Sequence, residues 1–70
     1  MNGLLNSLGE RIRSHREKLD LSQEKLAEKC AFDRTYISLL ERGKRNPSFT
    51  NLHRLANGLE VPLSKLIAKL

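Results

Sequence analysis

The side chains able to perform metal or acid–base chemistry are few, and their spacing does not suit it. His15 and His53 are the two histidines of the 70-residue chain, and Cys30 is its single cysteine. These residues cannot form an internal disulfide or a multi-cysteine zinc site, so we expect no metal and no cofactor. Glu24 and Glu28 are four residues apart on a predicted helix, which is typical of a charged surface. No nucleophile, base and orienting group can be assembled, and the sequence predicts a protein that is not an enzyme.

Basic residues are concentrated in one stretch, where their chemistry suits a polyanionic partner. The formal net charge is +5 and the sequence pI is about 9.9. The segment from residue 34 to residue 54 carries +4 of that charge, because it contains five basic residues and one acid, Glu41. The five are Arg34, Arg42, Lys44, Arg45 and Arg54. Such a stretch favours binding to nucleic acid, although a basic run can also be a solvated surface.

Two helix start signals precede this basic stretch in the sequence. Ser22 and Asp33 are residue types that favour the N-cap, and each has an apolar residue just before it and another four positions after it. The two apolar pairs are Leu21 with Leu26 and Phe32 with Ile37. The signals are separated by about two helical turns and a short turn, which is the spacing of a helix-turn-helix unit. Ala31 falls in the turn, where the left-handed conformation is often required, so we expect either a cost of about 1 kcal/mol for that conformation or a different turn geometry.

The remaining pattern predicts one all-α domain over residues 1–70. Hydrophobic residues make up 39% of the chain and aromatic residues only 4%, which favours helices over strands. Apolar residues recur at helical spacing, and Ser48 and Pro62 are suited to begin further helices. We therefore expect five helices, at about residues 4–18, 22–29, 34–42, 49–57 and 62–69. The third should end at Gly43.

The third predicted helix has an inward and an outward face. At about 100° per residue, Ile37, Leu40 and Glu41 share the inward side. The outward side carries Arg34, Thr35, Ser38, Leu39 and Arg42. It is therefore basic at both ends and uncharged between them.

Several stretches of the chain together resemble the Xre-type helix-turn-helix family, which includes the Cro-like and lambda-repressor-like proteins. The matching stretches are Arg11–Arg13, Leu21–Ala27, Tyr36–Ser38, Leu40–Gly43, Arg45–Ser48 and Leu52–Ala56. Residues 33–38, the loop at 45–48 and the short length look most like the controller proteins of restriction-modification systems. The resemblance implies a compact five-helix fold whose third helix enters the major groove of double-stranded DNA.

By this resemblance, the residues that read bases are Arg34, Thr35, Ser38 and Leu39. The guanidinium of Arg34 can bind guanine O6 and N7 through two hydrogen bonds, or it could contact a phosphate instead. Leu39 could contact a thymine methyl group or pack against another subunit. Positions that match backbone-binding residues are Gln23, Tyr36, Arg42, Lys44, Arg45, Asn46 and Ser48. For Lys44 and Arg45 the alternative is a solvated loop, and Tyr36 could be half-buried structure.

The resemblance also implies an ion pair between Arg16 and Glu41 that ties the first helix to the third. Glu41 lies on the inward face, where a carboxylate without a partner would be strongly unfavourable. We therefore expect the two side chains to meet inside the protein.

The family resemblance predicts a homodimeric transcriptional regulator on a roughly palindromic operator. Candidate residues for the dimer interface are Leu59, Val61, Leu63, Leu66 and Ile67. RNA polymerase is a further candidate partner, whereas we expect no membrane and no small-molecule ligand, and a cytoplasmic location. The alternatives are a phage-type repressor or an antitoxin that binds DNA in the same way, and a helical protein-interaction module whose basic face meets an acidic protein.

Overall fold

The computed structural model describes residues 3–70, and within that range it contains five helices and no strand. The helices are α1 (Gly3–Lys18), α2 (Gln23–Cys30), α3 (Arg34–Glu41), α4 (Phe49–Gly58) and α5 (Leu63–Leu66). The predicted all-α fold is confirmed, and α1 to α4 follow the predicted ranges closely. Residues 1 and 2 of the predicted domain lie outside the described part. Between residues 3 and 70, no helix combines the length and apolarity needed to cross a bilayer.

Serine side chains cap two of the helices at their start. The Oγ atoms of Ser22 and Ser48 accept hydrogen bonds from the amides three residues later, at 3.0 and 3.1 Å. Asp33 has the extended backbone of an N-cap, but its side chain makes no capping hydrogen bond. The amide of Tyr36, which that side chain would bind, donates to the backbone carbonyl of Asp33 at 3.1 Å instead. The start of α3 is therefore defined by backbone hydrogen bonds to Asp33 and not by a side-chain cap.

The first four helices end in the same backbone arrangement. Each has a residue in the left-handed region shortly after its end, and the following amide binds a carbonyl five residues back. The left-handed residues are Asp20, Ala31, Gly43 and Glu60, with φ between 58° and 72°. Only Gly43 adopts this conformation without steric cost; each of the others costs on the order of 1 kcal/mol. Ala31 thus takes the left-handed geometry that its position in the turn requires.

All five helices contribute to one hydrophobic core. The buried apolar residues are Leu8, Ile12, Leu26, Ala27, Cys30, Ile37, Leu40, Leu55, Ala56, Leu59 and Leu66. α1 crosses α3 so closely that a Cβ atom at Gly9 would lie 2.5 Å from the carbonyl oxygens of Leu40 and Glu41. This close crossing sets the distance between α1 and α3.

The fifth helix is a single turn and is shorter than the predicted range of 62–69. The guanidinium of Arg11 donates to the carbonyls of Lys65, Leu66 and Ala68 at 3.2, 3.1 and 2.9 Å. A longer helix would use the first two of these carbonyls for its own hydrogen bonds. Lys69 then adopts the left-handed region at φ 59°. Arg11 therefore holds the C-terminal segment in a non-helical turn.

Two residues predicted for the dimer interface belong to the core of the chain itself. Leu59 is 1% exposed and Leu66 is 0% exposed, so neither can contact a second subunit, and the prediction was wrong for both. An apolar stripe predicts burial but does not say against which surface. Val61 and Leu63 pack against the core while partly exposed, and Ile67 is 39% exposed.

Candidate nucleic-acid interface

The outward face of α3 presents the residues predicted to read bases. Arg34 and Thr35 are exposed, and Ser38 and Leu39 are half-buried. The opposite face is buried in the core and holds α3 in place. None of the ion pairs among residues 3–70 involves Arg34. Its guanidinium is thus available to an external acceptor.

The residues predicted to contact the DNA backbone lie around this face. The segment between α3 and α4 exposes Arg42, Lys44, Arg45, Asn46 and Ser48, whereas Gln23 and Tyr36 are half-buried. The guanidinium carbon of Arg45 lies 5.1 Å from the centre of the Tyr36 ring, and Arg42 Nε donates to the Ser38 carbonyl at 3.4 Å. The basic loop is therefore connected to the outward side of α3.

A shallow, open groove joins the starts of α2 and α3. Its lining comprises Arg16, Ser22, Gln23, Glu24 and Arg34. The groove brings a residue predicted to contact the backbone, Gln23, next to one predicted to read bases, Arg34.

Beneath the groove, the carboxylate of Glu41 is fully buried and receives several hydrogen bonds. Arg16 donates from Nε to Oε2 at 2.6 Å and from Nη2 to Oε1 at 3.0 Å. Gln23 Nε2 donates to Oε1 at 3.0 Å, and Arg13 Nε approaches the same oxygen at 3.4 Å. Arg16 Nη1 also donates to the carbonyl of Leu21 at 2.8 Å. The network ties α1, the start of α2 and the end of α3 together.

These contacts determine the charge state of the buried pair. Burial raises the pKa of Glu41, but the hydrogen bonds from Arg16 and Gln23 and the charge of Arg16 outweigh it, so the pKa lies below its ordinary value. The hydrogen bond to Glu41 raises the pKa of Arg16. Both groups are therefore ionised at neutral pH, as a bidentate Arg–carboxylate pair requires.

Sequence reasoning missed a second set of contacts, which joins α3 and the turn before it to α4. Asn51 Nδ2 donates to the hydroxyl of Tyr36 at 3.0 Å. Arg54, one of the five cations of the basic stretch, turns inward and donates to the carbonyls of Cys30 and Ala31. Asn51 and Arg54 are three residues apart and share one face of α4, but nothing in the local pattern identifies their partners.

The histidines and the cysteine occupy separate environments. His15 is buried in α1, and burial followed by the nearby charges of Lys18, Lys65 and Arg11 lowers its pKa. His53 is exposed on α4, where its ring meets the edge of Phe49 at 5.3 Å between centroids. Cys30 is buried, and burial raises the pKa of its thiol. Each of the three therefore has an ordinary packing environment.

Comparisons with known proteins agree with this geometry. A family model described as helix-turn-helix matches residues 12–66. The chain is 44% identical to the control protein C.MunI of a Mycoplasma species, over 97% of this chain and 93% of that protein. The solved restriction-modification controller protein C.AhdI from Aeromonas hydrophila superposes with a TM-score of 0.87 at 40% identity, covering 89% of this chain and 94% of that one.

A further solved structure contains DNA. A chain of the controller protein C.Esp1396I, from the crystal structure of its tetramer in complex with its natural 35-base-pair operator, superposes with a TM-score of 0.81 at 38% identity, over 96% of this chain and 97% of that one. These matches extend over nearly the full length of both partners in each comparison. The chain therefore belongs to the helix-turn-helix family, in the Xre-like group that contains restriction-modification controller proteins.

Proposed function

We propose that the chain is a transcriptional regulator that binds a roughly palindromic DNA operator as a homodimer, in the manner of restriction-modification controller proteins. The observation that carries the proposal is the exposed face of α3, basic at both ends and fixed from beneath by the buried Glu41 network. The similarity to a controller protein crystallised on its operator supports the same conclusion. The common core of the five helices supports a single domain over residues 1–70.

On this proposal α3 lies in the major groove. The exposed guanidinium of Arg34 binds the O6 and N7 atoms of a guanine, a contact worth about 1–3 kcal/mol of discrimination between bases. Thr35 and Ser38 supply hydroxyl groups to base edges or phosphates, and half-buried Leu39 supplies an apolar contact. Operator sequence is therefore read by four side chains on one helix face.

The surrounding donors bind the phosphate backbone. Lys44, Arg45 and Asn46 are exposed on the loop after α3, where they fix the register of the helix without reading sequence. The Tyr36 hydroxyl accepts a hydrogen bond from Asn51, so its own proton can be donated to a phosphate oxygen. Gln23 uses its amide nitrogen for Glu41, which leaves its amide oxygen and backbone amide toward the groove.

Dimerisation uses apolar residues after α4 that are not fully buried in the core. Val61, Leu63 and Ile67 remain as candidates, and Leu70 is 38% exposed beside them in sequence. A dimer would place two α3 helices about one helical turn of DNA apart. Sedimentation at micromolar concentration tests this step; a dimer is expected, and a monomer would contradict it.

Salt dependence separates DNA binding from the alternative of a protein-interaction module. With about six to eight phosphate contacts, the slope of log affinity against log salt should be near −5 to −7 on duplex DNA. A flat slope, or equal affinity for all duplexes, would argue against the proposed function. The proposal assigns no enzymatic activity to the chain and places its action in the cytoplasm, where such an operator is found.

A further inference from the structure

The cationic side chain of Arg54 does not extend into solvent but binds the turn between α2 and α3. Its Nη2 donates to the carbonyls of Cys30 and Ala31, at 2.8 Å each. Nη1 lies 3.5 Å from Oδ1 of Asn51 on its own helix. Because guanidinium presents a planar fork of donors, one side chain can hold both carbonyls at once.

The turn needs such a partner for two reasons. The carbonyls of Cys30 and Ala31 belong to the last residue of α2 and to its C-cap, where helix carbonyls lack intrahelical donors and a positive charge is favourable. Ala31 also adopts the left-handed region at φ 60° and ψ 42°, a conformation that a residue with a Cβ adopts at a cost. Arg54 therefore stabilises the most strained part of the helix-turn-helix unit from α4.

From Arg54, a series of stacked side chains runs to the loop that carries Arg45. The Arg54 guanidinium carbon lies 4.1 Å from the centre of the Phe32 ring, and the Phe32 and Tyr36 rings are 4.8 Å apart. The Arg45 guanidinium carbon lies 5.1 Å from the Tyr36 ring centre. Cations and aromatic rings attract each other at these distances. We call this series the Arg54–Arg45 stack.

Hydrogen bonds through Asn51 also link Tyr36 to Arg54, in addition to the contacts through Phe32. Asn51 donates to the Tyr36 hydroxyl at 3.0 Å and accepts from Arg54 at 3.5 Å. Tyr36 is thus fixed by its ring and by its hydroxyl, both through residues that contact Arg54. These contacts join α4 and the turn to α3 through residues other than those of the Glu41 network.

We propose that Arg54 is a positioning residue for the DNA interface, which orders Tyr36 and Arg45 through the Arg54–Arg45 stack and makes no phosphate contact itself. The proposal rests on the proposed function for its effect on DNA binding. The ordering of Tyr36 is a property of the free protein.

The first test uses the free protein, in which Tyr36 is the only tyrosine and tryptophan is absent. Its fluorescence therefore reports on one site. In Arg54→Met and in Arg54→Lys, acrylamide quenching of Tyr36 should rise about twofold at a temperature where circular dichroism finds each variant folded. Arg54→Lys keeps the charge but lacks the fork. Quenching equal to the unmodified chain in both variants would overturn the proposal.

The second test measures binding to a duplex selected by the unmodified chain. Arg54→Met and Arg54→Lys should both weaken binding about tenfold, because the interface is misplaced, and their salt slopes should become shallower by no more than that of Arg45→Met. Arg45→Met is the matched control, and its slope should become shallower by about 0.9 for each phosphate that the variant no longer neutralises. A slope for Arg54→Met that is shallower than that of Arg45→Met, or full binding by Arg54→Lys, would identify Arg54 as a residue that binds phosphate through its charge and contradict the proposal.

The double variant tests whether the stack connects its two ends. If Arg54 orders Arg45, the weakening caused by Arg45→Met should be smaller by about threefold in the Arg54→Met background. Independent effects would overturn the connection. If the unmodified chain bound no duplex at all, the proposed function would fail, whereas the fluorescence test would still decide whether Arg54 orders Tyr36.

Discussion

At the level of single residues, the carboxylate of Glu41 connects three helices beneath the candidate interface. Its side chain is 0% exposed and that of Arg16 is 12% exposed, so the pair has little contact with water. A buried ion pair adds little net stability compared with a well-packed apolar pair, but loss of one partner is costly. Its contribution is therefore to fix the position of α3 relative to α1.

Removal of Arg16 should be severe. Arg16→Ala leaves the Glu41 carboxylate buried with only Gln23 and Arg13 as donors, and we expect a loss of about 3–5 kcal/mol in the free energy of unfolding. Urea denaturation measures this. The double variant Arg16→Met with Glu41→Leu should recover part of the loss, because no charge is then stranded. An unchanged melting temperature in Arg16→Ala would contradict the account of the pair.

His15 should make stability depend on pH. Its pKa in the folded chain is below the ordinary value of about 6.5. The unfolded chain therefore binds a proton first as pH falls, and stability that is complete above pH of about 6.5 is lost toward the folded pKa. His15→Gln should lose less stability between pH 7 and pH 5 than the unmodified chain. Equal losses, measured by urea denaturation, would show that His15 is not the group responsible.

The sequence predicted single residues well where the signal was local. Periodicity alone placed Glu41 inward and Arg34 outward, because both positions follow from helical geometry. The Asn51–Tyr36 hydrogen bond and the inward turn of Arg54 were missed, because their partners lie 15 and 23–24 residues away in the sequence. Charge counting treats every arginine as exposed and cannot detect such a contact.

At the level of helices, the position of α3 is defined by close crossings and by strained helix ends. α1 meets the backbone of α3 at Gly9, where no side chain fits. The turn before α3 depends on Ala31 in the left-handed region. Both features are backbone properties that a single side chain can change.

Gly9→Ala should destabilise the chain through overpacking. The new methyl group would lie 2.5 Å from two carbonyl oxygens of α3, and we expect a cost of about 1–3 kcal/mol. Gly3→Ala is the matched control, since a Cβ there meets nothing within 4 Å. Thermal denaturation should separate the two variants. Equal stability would mean that α1 does not approach α3 as described.

Ala31→Gly should stabilise the chain, in contrast to Gly9→Ala. Glycine removes the left-handed strain but makes the unfolded chain more flexible, so the net gain should be at most about 1 kcal/mol. Gly43→Ala should be destabilising, because Gly43 has φ 72° and its Cβ would collide with Asn6. A loss of stability in Ala31→Gly, measured by urea denaturation, would contradict the assigned turn.

Helix starts were predictable because their signals lie within a few residues, as at Ser22 and Ser48. The end of α5 was not, because Arg11, 54 to 57 residues away, takes the carbonyls that a longer helix would need. Apolar residues between Leu59 and Ile67 were predicted as an interface, but Leu59 and Leu66 fill the core. A pattern of apolar positions does not distinguish burial in the core from burial in a dimer interface.

At the level of the whole molecule, two networks of side-chain contacts fix the exposed face of α3. The Glu41 network supports α3 from α1, and the Arg54–Arg45 stack supports it from α4. Basic residues surround the outward side, and the exposed apolar residues Ile67 and Leu70 lie at the far end of the sequence. This arrangement suits a dimer that presents two copies of α3 to successive major grooves.

The central claim is that the outward face of α3 reads a DNA sequence, and selection of bound duplexes from a random pool tests it most directly. The unmodified chain should enrich a roughly palindromic sequence, and Arg34→Ala should lose the preference for one guanine in each half-site while keeping the others. Uniform weakening by Arg34→Ala would assign Arg34 to a phosphate instead. Recovery of no common sequence by the unmodified chain would contradict the claim.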